Sequence, residues 1–187
     1  MKSAPLSKQS TFSRGRTYTL TRIALLTTLV SVGRLSFSFL PNVQPMTVLL
    51  VCITLYYGWK SGLAVSLLSV LLTNFYLGMG PWTIAQFAAY SVLIGLTWLL
   101  EDSYESIPLP VMQFFVAFLG IVYGLIISLV QAPFFGWNIF VPYYLSGLPY
   151  DIMHAGGNIV FFALLYPITM RVFQRADQNT SNAHQQR

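Results

Sequence analysis

Long apolar stretches, divided by short turn-forming segments, take up most of this sequence between Tyr18 and Phe173. Hydrophobic residues make up 55% of the 187 residues and charged residues only 8%, which is too few for the surface of a soluble protein. A helix of about 20 apolar residues crosses the hydrocarbon core of a bilayer. The sequence therefore predicts an all-α integral membrane protein whose six transmembrane helices form one bundle at residues 18–173.

Turn signals divide the first part of this domain into three predicted helices. The first helix runs from about Tyr18 to Phe39 and ends at the segment PNVQP, because proline cannot continue a helix. The apolar residues 46–77 are too many for one span, and the sequence GWKSG in their middle predicts a turn. We expect two short helices there, with Lys60 at the turn between them.

Three more helices are predicted in the second part of the domain. The fourth covers residues 81–100 with Pro81 in its first turn, the fifth covers 111–130 and the sixth covers 148–173. The aromatic segment 131–147 is predicted to be an outer loop that is long enough to act as a lid. Its aromatic side chains can either line a pocket or anchor the membrane interface.

The basic residues predict the orientation of the bundle. Lys and Arg gather in the cytoplasmic segments of membrane proteins, and all of them here except Arg34 lie in segments or helix ends on one side. Both termini are therefore predicted to be cytoplasmic, with a basic tail at residues 1–17 and a disordered polar tail at 174–187. The net charge of +5 comes from these basic residues of the tails and short loops, so it does not indicate binding to nucleic acid. We expect the lipid bilayer as a partner and no nucleic acid.

We predict no catalytic residue, metal site or cofactor in this chain. His154 and Asn158 lie one helical turn apart, a spacing also found in intramembrane proteases of the CAAX type. Such a protease needs a second histidine and a helix with paired glutamates, but the other histidine is in the C-terminal tail and the acidic pair Glu101-Asp102 is in a loop. Cys52 lies within an apolar run and is expected to be a small buried hydrophobe.

Polar residues inside the predicted helices fall in the outer half of the membrane. An ionisable group at hydrocarbon depth costs about 3 kcal/mol, so these side chains are expected to face a cavity in the bundle. Because the inner halves are almost entirely apolar, this cavity opens outward and ends blindly. The residues are Arg34, Asn74, Gln86, Asp151, His154 and Asn158.

Arg34 and Asp151 are predicted to form an ion pair between the first and sixth helices, because each is a lone charge at similar depth. The pair either fixes the packing of the helices or also touches a polar ligand. On the first helix, a stripe of small residues allows close packing against a neighbour in the same chain or in a partner protein. The stripe consists of Thr21, Ala24, Thr27, Thr28 and Ser31.

Three segments in order resemble a known family: GRLSFSFLPNVQPMT at 33–47, NFYLGMGPWTIAQ at 74–86 and GLPYDIMHAGGNIVFF at 147–162. They resemble the substrate-binding S components of energy-coupling factor (ECF) vitamin transporters of the ABC class, and most of all the cobalamin-type S components. The resemblance implies a multi-pass protein of the bacterial cell membrane that captures a vitamin at its outer face. Delivery inward then requires a transmembrane coupling subunit and two ABC ATPases, so that ATP is used by the partners.

The resemblance also implies roles for particular residues. Ala24, Thr28 and Ser31 would dock on the coupling subunit, although Thr28 stands where the family's small motif has alanine. Cobalamin or a related corrinoid is the implied ligand, and a smaller vitamin such as pantothenate or pyridoxine is the alternative. A membrane scaffold that transports nothing is the competing interpretation. Amide and aromatic side chains expected to bind the ligand with Arg34, Asp151, His154 and Asn158 are Asn42, Gln44, Asn74, Trp82, Gln86 and Tyr90.

Overall fold

The computed structural model describes the backbone of residues 7–185 and the side chains of residues 15–178. Over this range the chain is helical, with no β-strand, and the all-α prediction is confirmed. Two short 3-10 turns lie at Tyr104–Ser106 and Trp137–Ile139. The six α-helices are α1 (Ser7–Ser36), α2 (Met46–Tyr57), α3 (Trp59–Leu77), α4 (Pro81–Trp98), α5 (Leu109–Phe135) and α6 (Phe140–Gln185).

Three helical segments of the described chain are long and apolar enough to cross a membrane. They are Trp59–Leu77, Leu109–Phe135 and Trp137–Gln178. In contrast, the 12 residues of α2 extend only about 18 Å, well short of a hydrocarbon core of about 30 Å. The short α2 therefore lies within the bundle and does not by itself match the thickness of a bilayer.

The helix α2 forms the centre of the bundle. It packs against all five other helices, which surround it in the order α1, α3, α4, α5 and α6. Every residue from Met46 to Leu55 is buried. A helix that is apolar on all sides is stable only when other elements cover it completely, which explains this central position.

A single residue, Gly58, separates α2 from α3. Its φ of 83° lies in the left-handed region that favours glycine, and its N–H donates to the carbonyl oxygen of Thr54. The predicted turn between two helices is thus confirmed, but it is shorter than GWKSG because Trp59 already begins α3. Lys60 is exposed in the first turn of α3.

Side-chain contacts identify the two ends of the bundle. The hydroxyl of Tyr18 on α1 donates to Oδ1 of Asp177 on α6 at 3.4 Å, and the guanidinium of Arg22 lies 4.0 Å from the ring centroid of Tyr57 on α2. The beginning of α1, the α2–α3 turn and the last part of α6 therefore lie together, at what we call the terminal end. The connections α1–α2, α3–α4 and α5–α6 lie at the opposite end, the cavity end.

The predicted outer loop at 131–147 is wrong, and with it the proposed lid. Residues 131–135 complete α5, and α6 begins at Phe140 instead of Leu148. The prolines of this segment are tolerated: Pro133 lies inside α5, and Pro142 lies in the first turn of α6, where its missing N–H has no intrahelical partner. Neighbouring helices can compensate for the hydrogen bond that an internal proline removes.

The tails are also more helical than expected. Within the described range, the predicted basic tail joins α1 from Ser7 onward, and the segment expected to be disordered continues α6 from residue 174 to Gln185. Once a helix has formed, each added residue costs little free energy, and the Gln, Arg and Ala residues of this segment are favourable helix formers. Residues 1–6 and 186–187 lie outside the described backbone.

Candidate ligand-binding cavity

A cavity of about 350 Å³ opens at the cavity end of the bundle. The α1–α2 connection and helices α4, α5 and α6 all contribute to its wall. Four of the ten predicted ligand-binding residues line it: Asn42, Trp82, Gln86 and Asp151. The remaining lining residues are Tyr123, Gly124, Ile127, Ser128, Tyr143, Ser146, Gly147 and Tyr150.

Asp151 is the one residue with a formal charge among the described residues that line the cavity. It is only 4% exposed, yet no hydrogen bond or ion pair joins its carboxylate to another described residue. The predicted pair with Arg34 is therefore wrong. The reason is geometric, since Arg34 faces α3 and donates to Thr73 and Asn74 there.

Two glycines bring α5 close to α6 beside this carboxylate. A Cβ atom at Gly120 would lie 2.7 Å from the backbone nitrogen of Ala155, and a Cβ atom at Gly124 would overlap the carboxyl group of Asp151. Gly120 and Gly124 form the GxxxG pattern that permits close approach of membrane helices. This pattern is the sequence signal for the close contact of α5 with a neighbouring helix, and it was not among the predicted features.

Arg34 belongs to a buried hydrogen-bond network that links α1, α3 and α4. Its Nη1 donates to Oγ1 of Thr73 at 2.6 Å, and its Nη2 donates to Oδ1 of Asn74 at 3.1 Å. Nδ2 of Asn74 then donates to Oγ1 of Thr83 at 2.9 Å and to Oε1 of Gln86 at 2.7 Å. Arg34 and Asn74 thus lie behind the cavity wall, and Gln86 alone of this network lines the cavity.

The network also determines which atoms Gln86 presents. A guanidinium has donors and no acceptor, so Asn74 must turn its oxygen to Arg34 and its NH₂ group to Gln86. Gln86 therefore accepts through Oε1, and its side chain also forms a hydrogen bond with the hydroxyl of Tyr123 in the cavity wall. In this way a charge on α1 fixes the orientation of the cavity-lining Gln86 amide.

His154 packs beneath the cavity and does not line it. Its Nε2 shares a hydrogen bond of 2.9 Å with Oγ1 of Thr47 on α2, and its ring meets Tyr123 edge to face with 5.0 Å between centroids. Tyr123 in turn packs on Tyr90, with 5.1 Å between centroids. Tyr90 is 1% exposed and reaches the site only through Tyr123, which is itself part of the cavity wall.

The remaining predicted site residues lie elsewhere. Asn158 is fully buried, and its Nδ2 donates to the carbonyl oxygen of Val116 at 2.9 Å, which ties α6 to α5. Gln44 is half-buried in the α1–α2 connection and does not line the cavity. In the same connection, Asn42 adopts a φ of 55°, a left-handed conformation that asparagine tolerates, at the point where the chain meets the cavity.

Aromatic rings surround the mouth of the cavity. Trp82, Tyr143 and Tyr150 are each between 39% and 49% exposed, whereas Tyr123 at the base is 6% exposed. The hydroxyl of Tyr143 accepts a hydrogen bond of 3.2 Å from Nε2 of Gln131. The segment predicted as a lid therefore does supply cavity residues, but from a helix.

Three buried hydroxyl groups toward the terminal end bond to nearby backbone carbonyls. Thr54 donates to the carbonyl oxygen of Leu50 and Thr97 to that of Leu93 within their own helices, whereas Ser61 of α3 donates to that of Tyr57 at the end of α2. Such local hydrogen bonds use the protons of these three hydroxyls.

The small-residue stripe of α1 divides between the surface and the interior. Ala24 and Thr28 are exposed, while Thr27 and Ser31 are buried against the bundle. The hydroxyl of Thr28 donates to the carbonyl oxygen of Ala24 at 3.0 Å, so its polar group is satisfied within the helix. Ala24 and Thr28 thus remain accessible to a partner helix, and Ser31 does not.

Comparisons of this chain with family models, with curated proteins and with solved structures found no match. The fold and the cavity therefore define the class of protein by themselves: an all-helical bundle with three helical segments long and apolar enough to cross a membrane, and with a ligand-sized cavity lined by Asp151.

Proposed function

We propose that this protein is the substrate-capture subunit, or S component, of an ECF-type vitamin transporter. The observation that carries the proposal is the polar cavity at the cavity end, which is lined by Asp151 and Gln86. A scaffold protein has no use for a buried carboxylate that is left without a partner and exposed to a cavity. A capture protein does, because its ligand satisfies that group.

In this proposal all six helices lie in the bacterial cell membrane and both termini face the cytoplasm. The support comes from the distribution of basic residues: Arg16, Arg22, Lys60, Arg171 and Arg175 all belong to segments at the terminal end. Arg34, toward the opposite end, is buried and hydrogen-bonded. By the positive-inside rule, the terminal end is cytoplasmic and the cavity opens to the exterior.

The volume of the cavity favours a small vitamin over cobalamin. Cavities for drug-sized ligands range from roughly 300 to 1,000 Å³, and the 350 Å³ found here lies near the lower limit. A corrinoid with its nucleotide arm is much larger than such a ligand. A single-ring vitamin of the size of pyridoxine fits this volume.

The blind cavity requires partner proteins for release into the cell. We propose that the exposed Ala24 and Thr28 of α1 dock on a transmembrane coupling subunit, which two ABC ATPases drive. This chain would then bind its vitamin alone, and would transport it only in the complete assembly.

Two measurements test the proposal together. The purified chain should retain a small molecule that mass spectrometry detects, and proteoliposomes with the coupling subunit and ATPases should take that molecule up only with ATP. Gly147→Phe should abolish both, because Gly147 lines the cavity and its Cβ position is open. Gly156→Phe is the matched control on α6: its Cβ position is equally open and it does not line the cavity. Uptake that persists in Gly147→Phe would refute the proposed site.

A further inference from the structure

We propose that the ligand of this cavity is a small organic cation with a ring, held by Asp151 at the base and by aromatic faces at the mouth. This inference rests on the proposed function, in that it specifies the ligand of the same cavity. Its basis is the one charge and the aromatic rings that line the wall.

The carboxylate of Asp151 has no partner within the protein. Asp151 is only 4% exposed, and neither Arg34 nor another described residue neutralises it. A buried carboxylate without a partner is costly, and its cost disappears when a cation binds. A carboxylate ligand such as pantothenate would instead place a second negative charge in the same small cavity.

Gly124 of α5 leaves space for the carboxyl group of Asp151. A side chain at position 124 would occupy the same space, because its Cβ atom would overlap that carboxyl group. Both residues line the cavity. Glycine at position 124 therefore allows the carboxylate of Asp151 to lie where no other described residue binds it.

Aromatic rings make up much of the wall. Trp82, Tyr123, Tyr143 and Tyr150 present four aromatic rings to the same cavity. The face of an aromatic ring attracts cations and stacks on flat ligands. The ligand therefore carries both a cation and a ring.

Matched probe pairs test the charge directly on the purified full chain in nanodiscs. Pyridoxamine and pyridoxine differ by an ammonium in place of a hydroxyl, and choline differs from 3,3-dimethylbutan-1-ol by a quaternary nitrogen in place of carbon. Calorimetric titration should show the cation of each pair binding about tenfold or more tightly than its neutral twin. Equal binding of both members in both pairs would overturn the proposal without any mutation.

Asp151→Asn should reduce the preference for the cation to near unity. The ligand-free variant should melt no lower than the wild type, because the substitution removes an unpaired buried charge. Asp102→Asn, an exposed acid in the α4–α5 connection, should keep the full preference. A cation preference that survives Asp151→Asn would overturn the proposal.

These results are separable from those that test transport. ATP-driven uptake of a neutral vitamin, unaffected by Asp151→Asn, would refute the cationic ligand and leave the S-component assignment in place. Cation binding that depends on Asp151, without uptake in the complete assembly, would refute the transporter assignment and leave the ligand class in place.

Discussion

The carboxyl group of Asp151 on α6 occupies the space that a Cβ atom at Gly124 of α5 would fill. The absent side chain of Gly124 therefore provides the space for the Asp151 carboxyl group, and this fit determines where the charge of the cavity lies. Gly120, one turn earlier on α5, meets the backbone at Ala155 instead. The two glycines of the same pattern thus have different consequences when they are replaced.

We expect Gly124→Ala to weaken ligand binding more than it lowers stability, because the end of the Asp151 side chain can move away from the new methyl group. Gly120→Ala should instead cost roughly 1–3 kcal/mol of stability, since the backbone of α6 must shift. Gly156→Ala, with open space at its Cβ position, is the control and should be neutral. Thermal unfolding and ligand titration of the three variants separate these effects. Equal melting temperatures for Gly120→Ala and Gly156→Ala would contradict the close contact of α5 with α6.

Arg34→Lys should lower the stability of the protein by roughly 1–3 kcal/mol, although the charge is kept. A lysine cannot donate to Thr73 and Asn74 with the planar geometry of a guanidinium, so the amide of Asn74 is no longer held in one orientation. The same change at the exposed Arg16 should have little effect and serves as the control. Melting in detergent measures both, and an unchanged melting temperature for Arg34→Lys would mean that the network contributes nothing.

Thr47→Val should destabilise the protein by roughly 1–3 kcal/mol, because it leaves Nε2 of His154 buried without a partner. His154→Leu removes the other side of the same interaction. In a double-mutant cycle the two changes should therefore cost less together than the sum of the single variants. Strict additivity would show that Thr47 and His154 do not interact.

Labelling with a membrane-impermeant maleimide should establish the orientation. The single native cysteine, Cys52, is fully buried and should not react, so engineered cysteines report alone. Tyr150→Cys at the mouth of the cavity should label in intact cells. Lys60→Cys at the α2–α3 turn should label only after the cells are permeabilised. The reverse pattern would place the cavity on the cytoplasmic side and exclude capture from outside.

Local sequence signals were sufficient to predict helix ends wherever a single proline or glycine determines the backbone conformation. Pro81 begins α4 as predicted, and Gly58 ends α2 because a left-handed conformation is needed there. The prediction was wrong for the aromatic segment 131–147, which was expected to be a loop and is mostly helical. Packing against neighbouring helices overrode the local preference there, and a single sequence contains no direct record of that packing.

The sequence by itself determined the class of the protein, because apolar length, scarce charges and turn residues act locally and along the chain. It also singled out Asp151 and Gln86, since polar residues in apolar helices require a polar environment, while Asn42 and Trp82 were expected from the family resemblance. Only the tertiary structure decided that Arg34 binds α3 and leaves Asp151 unpaired, and that His154 packs below the cavity. These outcomes depend on how each helix is rotated about its axis and on which helix lies beside it, and those are properties of the assembled bundle.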